Sequence, residues 1–388
     1  MTGRDPNEPH RTASPLELLF DLCFVVAVAQ AGTALHDDLA GGQIAHGLVS
    51  YLIIFFGIWW PWVNYTWFAS AYDTDDVGYR LLTFVQIAGV LVATAGIPSA
   101  FDDLDFRVGV LGYVIMRIAL VAQWIRAARE DPGGRSVALR FAVGIGLIQL
   151  GWVARLAIGP PWDVPATLLL ILGELAIPVW AERSGRPTPW HPGHISERYG
   201  LFTIIVLGEC VLAATIAAET AFSAEGFSPA LLAVALGGLL LVFSLWWSYF
   251  KRPVVVDRNQ PMRVAFVFGY GHYVIFASVA ALGSGLQVAT ETIQNMTQLR
   301  PEVAALTVGI PVAIYLVAVS ILHARPRTLR ALVPVALTVP LLLGAAIAAI
   351  WVGVPVAVLI MGLVLAGLVA FYLAAARREA TPPPVRST

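Results

Sequence analysis

The residues of this chain best suited to chemistry are acids and cations set in or beside long apolar runs. Glu17 and Asp21 stand four positions apart, so a helix presents both carboxylates on one face. Two like charges so placed need cationic partners, a bound cation or a shared proton. Arg80, Arg198 and Arg263 are the arginines at comparable depth. In the segment Tyr72-Asp73-Thr74-Asp75-Asp76, three carboxylates precede another apolar run. Acids suit a helix N-terminus, where amides are free and the dipole is positive. Asp73, Asp75 and Asp76 together also offer the hard oxygen ligands that Mg2+ takes, and such an ion would carry a phosphate or diphosphate with it. Counting along their runs places Arg117, Glu174, Glu209 and His272 near mid-depth. Ionisable groups there are costly unless paired or hydrated, so each is a candidate ion-binding or substrate-binding residue. The plainer expectation is that Arg117 pairs with one carboxylate and fixes helix packing. Gly208 beside Glu209 would let a neighbouring backbone approach the carboxylate.

Membrane helices must position these groups. Of the 388 residues 58% are hydrophobic and only 13% charged, against roughly 25% charged in a soluble domain. Apolar runs of about twenty residues, long enough to cross a bilayer, recur along the chain. The expected spans are 15–34, 44–68, 80–100, 106–126, 137–158, 164–181, 199–218, 227–250, 262–286, 303–323, 329–350 and 354–376. The fold class is therefore an all-α integral membrane protein of about twelve transmembrane helices. Residues 1–14 read as a polar cytoplasmic leader without a cleavage site, and 379–388 as a disordered tail. Cys23 and Cys210 lie within apolar runs and read as packing residues, too few for a disulfide framework or a metal site.

Cationic residues collect in cytoplasmic loops. With these spans, all but four of the 24 Lys and Arg fall in the two tails or in loops after even-numbered helices. The four are Arg107, Arg155, Arg300 and the intramembrane Arg117. This parity predicts that both termini are cytoplasmic. Landmarks also recur between the halves: Leu19-Phe20 and Leu201-Phe202, Trp59-Trp60 and Trp246-Trp247, Arg80 and Arg263, Val164-Pro165 and Val354-Pro355. They predict two six-helix repeats, 15–190 and 191–378, in the same orientation, with a site at their interface. Trp59, Trp60, Trp62 and Trp67 near the end of the second span read as an interfacial belt, or alternatively as a cation–π or prenyl-binding wall. The net charge of −1 gives no reason to expect a nucleic-acid partner; the partners are the lipid bilayer and a small-molecule, ion or lipid substrate.

Three segments, Pro15-Leu16-Glu17-Leu18-Leu19-Phe20-Asp21-Leu22, Asp73-Thr74-Asp75-Asp76 with Arg80, and His194 through Glu209, together resemble the bacterial low temperature requirement A (LtrA) family. Trp247-Ser248-Tyr249-Phe250 and Tyr270-Gly271-His272 fit the same resemblance, with Leu19 where Phe is common and Tyr199 where His is common. The resemblance implies a bacterial inner-membrane protein and adds weight to Glu17, Asp21, Asp73, Asp76, Glu197, Arg198 and Glu209, with His194 inside its longest motif. Two function classes follow. One is a secondary transporter or channel whose buried carboxylates exchange protons or cations. The other is a membrane-embedded enzyme acting on a prenyl diphosphate or other phosphorylated lipid, initiated by Mg2+ or a proton as in a terpene cyclase, with Asp73, Asp75, Asp76, Glu17 and Asp21 catalytic. A sensor or scaffold without substrate is a third.

Overall fold

A computed structural model of the chain describes residues 1–9, 11–183, 185–222, 226–251, 260, 262–323 and 332–380. Among them the only regular element is the helix: α1 (Pro15–Ala40), α2 (Ile44–Tyr72), α3 (Val77–Ala95), the short α4 (Ile97–Asp102), α5 (Arg107–Glu130), α6 (Arg135–Arg155), α7 (Asp163–Ala181), α8 (Pro192–Ala221), α9 (Pro229–Phe250), α10 (Met262–Ile293), α11 (Pro301–His323) and α12 (Val333–Ala380). Eleven of these are long and apolar enough to cross a membrane.

Local chemistry sets the helix ends. Ser14 and Glu17 form a reciprocal capping box at α1: the Glu17 amide donates to Ser14 Oγ at 3.3 Å, and the Ser14 amide to Glu17 Oε2 at 2.8 Å. Asp76 caps α3 by accepting from the Tyr79 amide, and Ser228 caps α9 ahead of Pro229. Pro61, Pro178 and Pro311 lie inside α2, α7 and α11, a placement that membrane helices tolerate.

Several expected boundaries are corrected. The third span stops at Ala95 instead of residue 100, because Gly96 turns the chain against α5, where a Cβ would lie 2.6 Å from the Gly109 nitrogen. The helix expected from Tyr199 starts at Pro192, which puts His194, Glu197 and Arg198 on α8 itself. The last two expected spans, 329–350 and 354–376, both fall in α12, which is two helices meeting at a kink: Gly353 between them is non-helical (φ 78, ψ 160), a geometry that glycine tolerates. α12 runs to Ala380 and takes in the first two residues of the expected tail; residues 381–388 lie outside the described part. So do Arg252, Arg258, Arg325, Arg327, Arg330 and Arg386, which had entered the cation parity.

The chain divides into two compact units. Unit 1 is Met1–Ala34, Ala45–Phe202 and the described part of Val255–Ala265; unit 2 is Leu35–Ile44, Thr203–Val254 and the described part of Phe266–Thr388. The division falls inside α8, twelve residues beyond the repeat boundary expected at 190. In unit 1, α3 and α5 meet backbone to backbone: a Cβ on Gly112 would lie 2.2 Å from the Ala93 nitrogen, the close approach that small residues allow in lipid. Trp59, Trp60 and Trp62 form its aromatic core, each no more than 1% exposed. They are neither an interfacial belt nor a cation–π wall, since two of their indoles are spent on carboxylates described below. In unit 2, α10 meets α11 at Gly285 and α9 meets α12 at Gly237 and Gly362 by the same device. Trp246 and Trp247 there are about 40% exposed, as interfacial residues would be.

Candidate functional site

At the N-terminal end of α1, Glu17 and Asp21 are both buried and share one guanidinium. Arg198 Nη1 lies 2.8 Å from Glu17 Oε1, and Nη2 donates to Asp21 Oδ1 at 2.6 Å. Of the arginines at this depth, Arg198 is the one that bridges the two acids, and Arg80 pairs elsewhere. Trp62 Nε1 also donates to Asp21 Oδ1, at 2.7 Å. His194 Nε2 lies 3.1 Å from Glu17 Oε1 and 3.2 Å from Oε2, while its other ring nitrogen has no hydrogen-bond partner. Asp21 Oδ2 and Arg198 Nε are likewise buried without partners. Below Glu17, Phe20 stacks on Tyr65, whose hydroxyl lies 3.1 Å from that of Tyr79.

Residues 1–9 and 11–14 lie across this end of unit 1. Arg11 donates to the Ser70 and Ala69 carbonyls at 2.5 and 2.8 Å, satisfying acceptors at the end of α2. Burial and nearby Arg4 hold its pKa below the usual arginine value. The Ala13 amide donates to Glu197 at 3.4 Å, and the His191 ring meets the Glu8 carbonyl at 3.0 Å. The amino group of Met1 pairs with Glu130. Composition alone marks this leader as polar and gives no sign that it packs.

Arg117 and Glu174 pair as expected, on α5 and α7. The sequence did not show how fully Glu174 is satisfied. Its Oε1 accepts from Tyr113 at 2.9 Å, Gln149 at 3.2 Å and Trp152 at 3.3 Å; its Oε2 accepts from Trp60 at 2.9 Å and from Arg117. Five donors from α2, α5 and α6 close on one carboxylate of α7. Trp60 and Trp62 were read as part of an interfacial belt or a ligand wall; their N–H groups are what the two buried acids use.

The three acids before α3 point to different arginines. Asp75, at φ 47, receives Arg80 Nε and Nη2 at 2.8 and 2.6 Å. Asp76 receives Arg126 in fork geometry at 2.7 and 2.6 Å, and also Thr74. Donation by Arg80 and by Arg126 holds these two carboxyls below the usual range. Asp73 is buried, accepts from the Asp75 amide at 3.0 Å and lies 4.0 Å from Arg4; burial and the Glu17 charge push its pKa up. Among the described residues no group of three or more His, Cys, Asp or Glu is placed to hold a metal ion.

In unit 2, Glu209 is half-buried on α8 beside Gly283 of α10, whose added Cβ would lie 3.2 Å from Glu209 Cβ. Its carboxylate makes no hydrogen bond or ion pair among the described residues. Cys210 next to it is buried, with Sγ 3.1 Å from the Val279 carbonyl, and Cys23 is half-buried; both are free thiols. His272 is buried between the Phe268 carbonyl at Nδ1, 2.7 Å, and the Tyr249 hydroxyl at Nε2, 2.8 Å. A carbonyl requires a donor, so Nδ1 carries the proton and Nε2 accepts, the arrangement of a neutral, pinned imidazole.

An uncharacterized protein of Rhizobium meliloti (strain 1021) is 27% identical, over 74% of this chain and 72% of its own length. Residues 12–374 match the family described as bacterial low temperature requirement A protein (LtrA). With nearly its whole length matched, and with helices of membrane-spanning length throughout, the chain belongs to the LtrA family of multi-pass membrane proteins.

Proposed function

We propose that the protein is a secondary transporter of the bacterial inner membrane that exchanges a proton or small cation at the Glu17–Asp21–Arg198–His194 cluster, with Glu209 as a second exchanging carboxylate. One observation carries this reading. Two buried carboxylates share one guanidinium, and an oxygen of Asp21, a nitrogen of Arg198 and a nitrogen of His194 remain without partners. The Arg117–Glu174 pair also leaves Arg117 Nε and Nη1 without partners, but both oxygens of its carboxylate are filled; at Asp21 a carboxylate oxygen stays open, and that oxygen gives the cluster a place for a proton or cation. Glu209, a half-buried carboxylate without a partner among the described residues, has the same character in unit 2.

Cation parity supports cytoplasmic termini, which would put the cluster near the cytoplasmic mouth, under residues 1–9 and 11–14. Two copies of six helices in one orientation are supported by the landmark spacing. In each unit, moreover, the third helix of the copy meets the fourth through a glycine, α3 with α5 and α10 with α11. The Mg2+ form of the lipid-enzyme reading needs Asp73, Asp75 and Asp76 to converge on the ion, while its proton-initiated form would need an acid open to substrate. Asp75 and Asp76 are committed to separate arginines and Asp73 is turned inward, so transport is the better-supported function.

The test is proton movement in vesicles containing the purified protein and an entrapped pH dye, under an imposed gradient with the potential clamped. Wild type should pass protons, and Asp21→Asn and Glu209→Gln should each lower the flux while the variants remain monodisperse. Flux unchanged by both substitutions would refute the assignment of these residues.

A further inference from the structure

Unit 1 contains a cavity of about 110 Å³, walled by Phe24 of α1, Ile54 and Gly57 of α2, Val90 of α3, and Gly109 and Met116 of α5. No charged side chain lines it. Thr94, Tyr113 and Trp152 bring polar atoms to the wall, and each donor is already spent: Thr94 on the Val90 carbonyl at 2.8 Å, Tyr113 and Trp152 on Glu174. A buried water needs two to four polar partners, so this wall does not hold water well. A hydrocarbon loses nothing by entering it.

The glycines show that the space is kept open. On α3 and α5, Gly89 and Gly112 are pressed against the opposing helix, where a Cβ would come within 3 Å of backbone. Gly57 and Gly109 in the cavity wall are different: a Cβ at either would meet no heavy atom within 4 Å. These two glycines are not needed for close packing, and any larger apolar side chain there would fill the void. Along α5 the wall extends from Phe106 to Met116, about 15 Å at the helical rise. That is half the hydrocarbon thickness of roughly 30 Å, the reach of one leaflet's chain. The rim residues Ile53, Ile54, Gly57 and Gly109 are only half-buried, so a chain has a way in from the side.

We propose that unit 1 binds the terminal segment of one acyl chain of a bilayer phospholipid in this cavity. The site is independent of the transport assignment, since it uses none of the residues of the Glu17–Arg198 cluster. Its walls Tyr113 and Trp152 also donate to Glu174, so the occupant packs directly against the side chains that hold the Arg117–Glu174 pair.

The experiment uses the full chain in vesicles of phosphatidylethanolamine and phosphatidylglycerol. They contain a trace of phospholipid with a photoactivatable diazirine near the end of one acyl chain, and cross-linked residues are located by peptide mass spectrometry. Wild type should be labelled at Val90 and Met116 in the wall as well as at exposed Leu111 and Leu147. Gly57→Leu with Gly109→Leu should lose the wall labels and keep the exposed ones, and the gentler Gly57→Ala with Gly109→Ala should weaken the wall labels. Gly146→Leu, at a position outside the cavity with open space for a Cβ, should change neither set. Wall residues unlabelled in wild type, or labelled equally in the filled variants, would overturn the proposal.

Discussion

Replacing Glu174 by glutamine keeps the side chain's shape and removes its charge, leaving Arg117, buried to 1% exposure, without a counter-ion. The carboxylate takes three donors at Oε1 and two at Oε2. An amide has one oxygen. Its better orientation sets that oxygen toward Tyr113, Gln149 and Trp152 and turns its NH2 against Trp60 and the guanidinium. Removing one partner of a buried ion pair costs about 3–5 kcal/mol, because the other charge stays buried and uncompensated. At roughly 2–4 °C per kcal/mol for a folding unit of 150–250 residues, the unfolding midpoint should fall by roughly 10 °C. The assay is thermal denaturation of the purified protein in detergent, followed by loss of the monodisperse peak on size-exclusion chromatography. Adding Arg117→Met removes the stranded charge and leaves three of the five donors satisfied, so the double variant should be more stable than Glu174→Gln alone, a non-additivity expected of contacting residues. A Glu174→Gln midpoint within about 2 °C of wild type, or a further loss on adding Arg117→Met, would show that the carboxylate does not hold this pair together.

Gly112→Val should abolish the α3–α5 seam, since its Cβ would lie 2.2 Å from the Ala93 nitrogen and 2.5 Å from the Gly89 oxygen. Overpacking of this kind against backbone costs about 3 kcal/mol or more, and loss of monodisperse expression would report it. The acids before α3 should respond to pH with opposite signs. Asp76 is depressed by Arg126, so its stabilisation is present above the unfolded carboxylate value and is lost as pH falls through the lower folded one. Asp76→Asn should therefore blunt the acid-side loss of stability, by no more than about 1 kcal/mol at this exposed site. Asp73 is raised by burial, so its contribution favours the fold at low pH and is lost as pH rises through the folded value. Asp73→Asn should raise the midpoint at pH 7 and leave it unchanged once the acid is protonated; melting curves of both variants across pH check the two signs.

Hydropathy made the helices legible because a bilayer demands long apolar runs, and most expected spans have their own helix. The boundaries failed where a polar helical turn sits at the end of such a run. The first turns of α8 carry His194, Glu197 and Arg198, which lower hydropathy yet stay helical because Arg198 and His194 find partners in α1. Gly96 and Pro98 were a visible stop signal for α3, overridden by the apolar residues around them. The Arg117–Glu174 pair was readable by elimination, since few intramembrane charges are available to one another. The indole donors were not. Trp60 meets Glu174 across 114 positions and Trp62 meets Asp21 across 41, and nothing in a local pattern distinguishes a tryptophan that hydrogen-bonds a buried acid from one that anchors at the membrane interface. The packing of residues 1–9 and 11–14 was hidden for a similar reason: Arg4 and Arg11 read as solvated charge until their acceptors, the Asp73 and Ser70 segments, are brought beside them.

The buried acids of unit 1 obey different rules, and the difference separates structure from function. Glu174 has both carboxylate oxygens filled, by donors from three helices, and the polar atoms left over beside it are nitrogens of Arg117 and an oxygen of Gln149. Glu17 and Asp21 have fewer donors than they can accept, and the arginine that joins them has a free N–H. Spare nitrogens on the arginine occur at both sites and do not separate them; the open carboxylate oxygen at Asp21 does, since an unmet buried polar group costs about 1–3 kcal/mol. Sparing Asp21 Oδ2 and His194 Nδ1 makes sense where a proton or ion must enter and leave without breaking the fold. The same reasoning reaches Glu209 in unit 2, which no described side chain holds. It predicts that charge-removing substitutions divide: Glu174→Gln should act on stability, Asp21→Asn on flux with a smaller loss of stability because Glu17 still pairs with Arg198, and Glu209→Gln on flux at nearly unchanged stability. A Glu209→Gln variant that melts as early as Glu174→Gln would break that division.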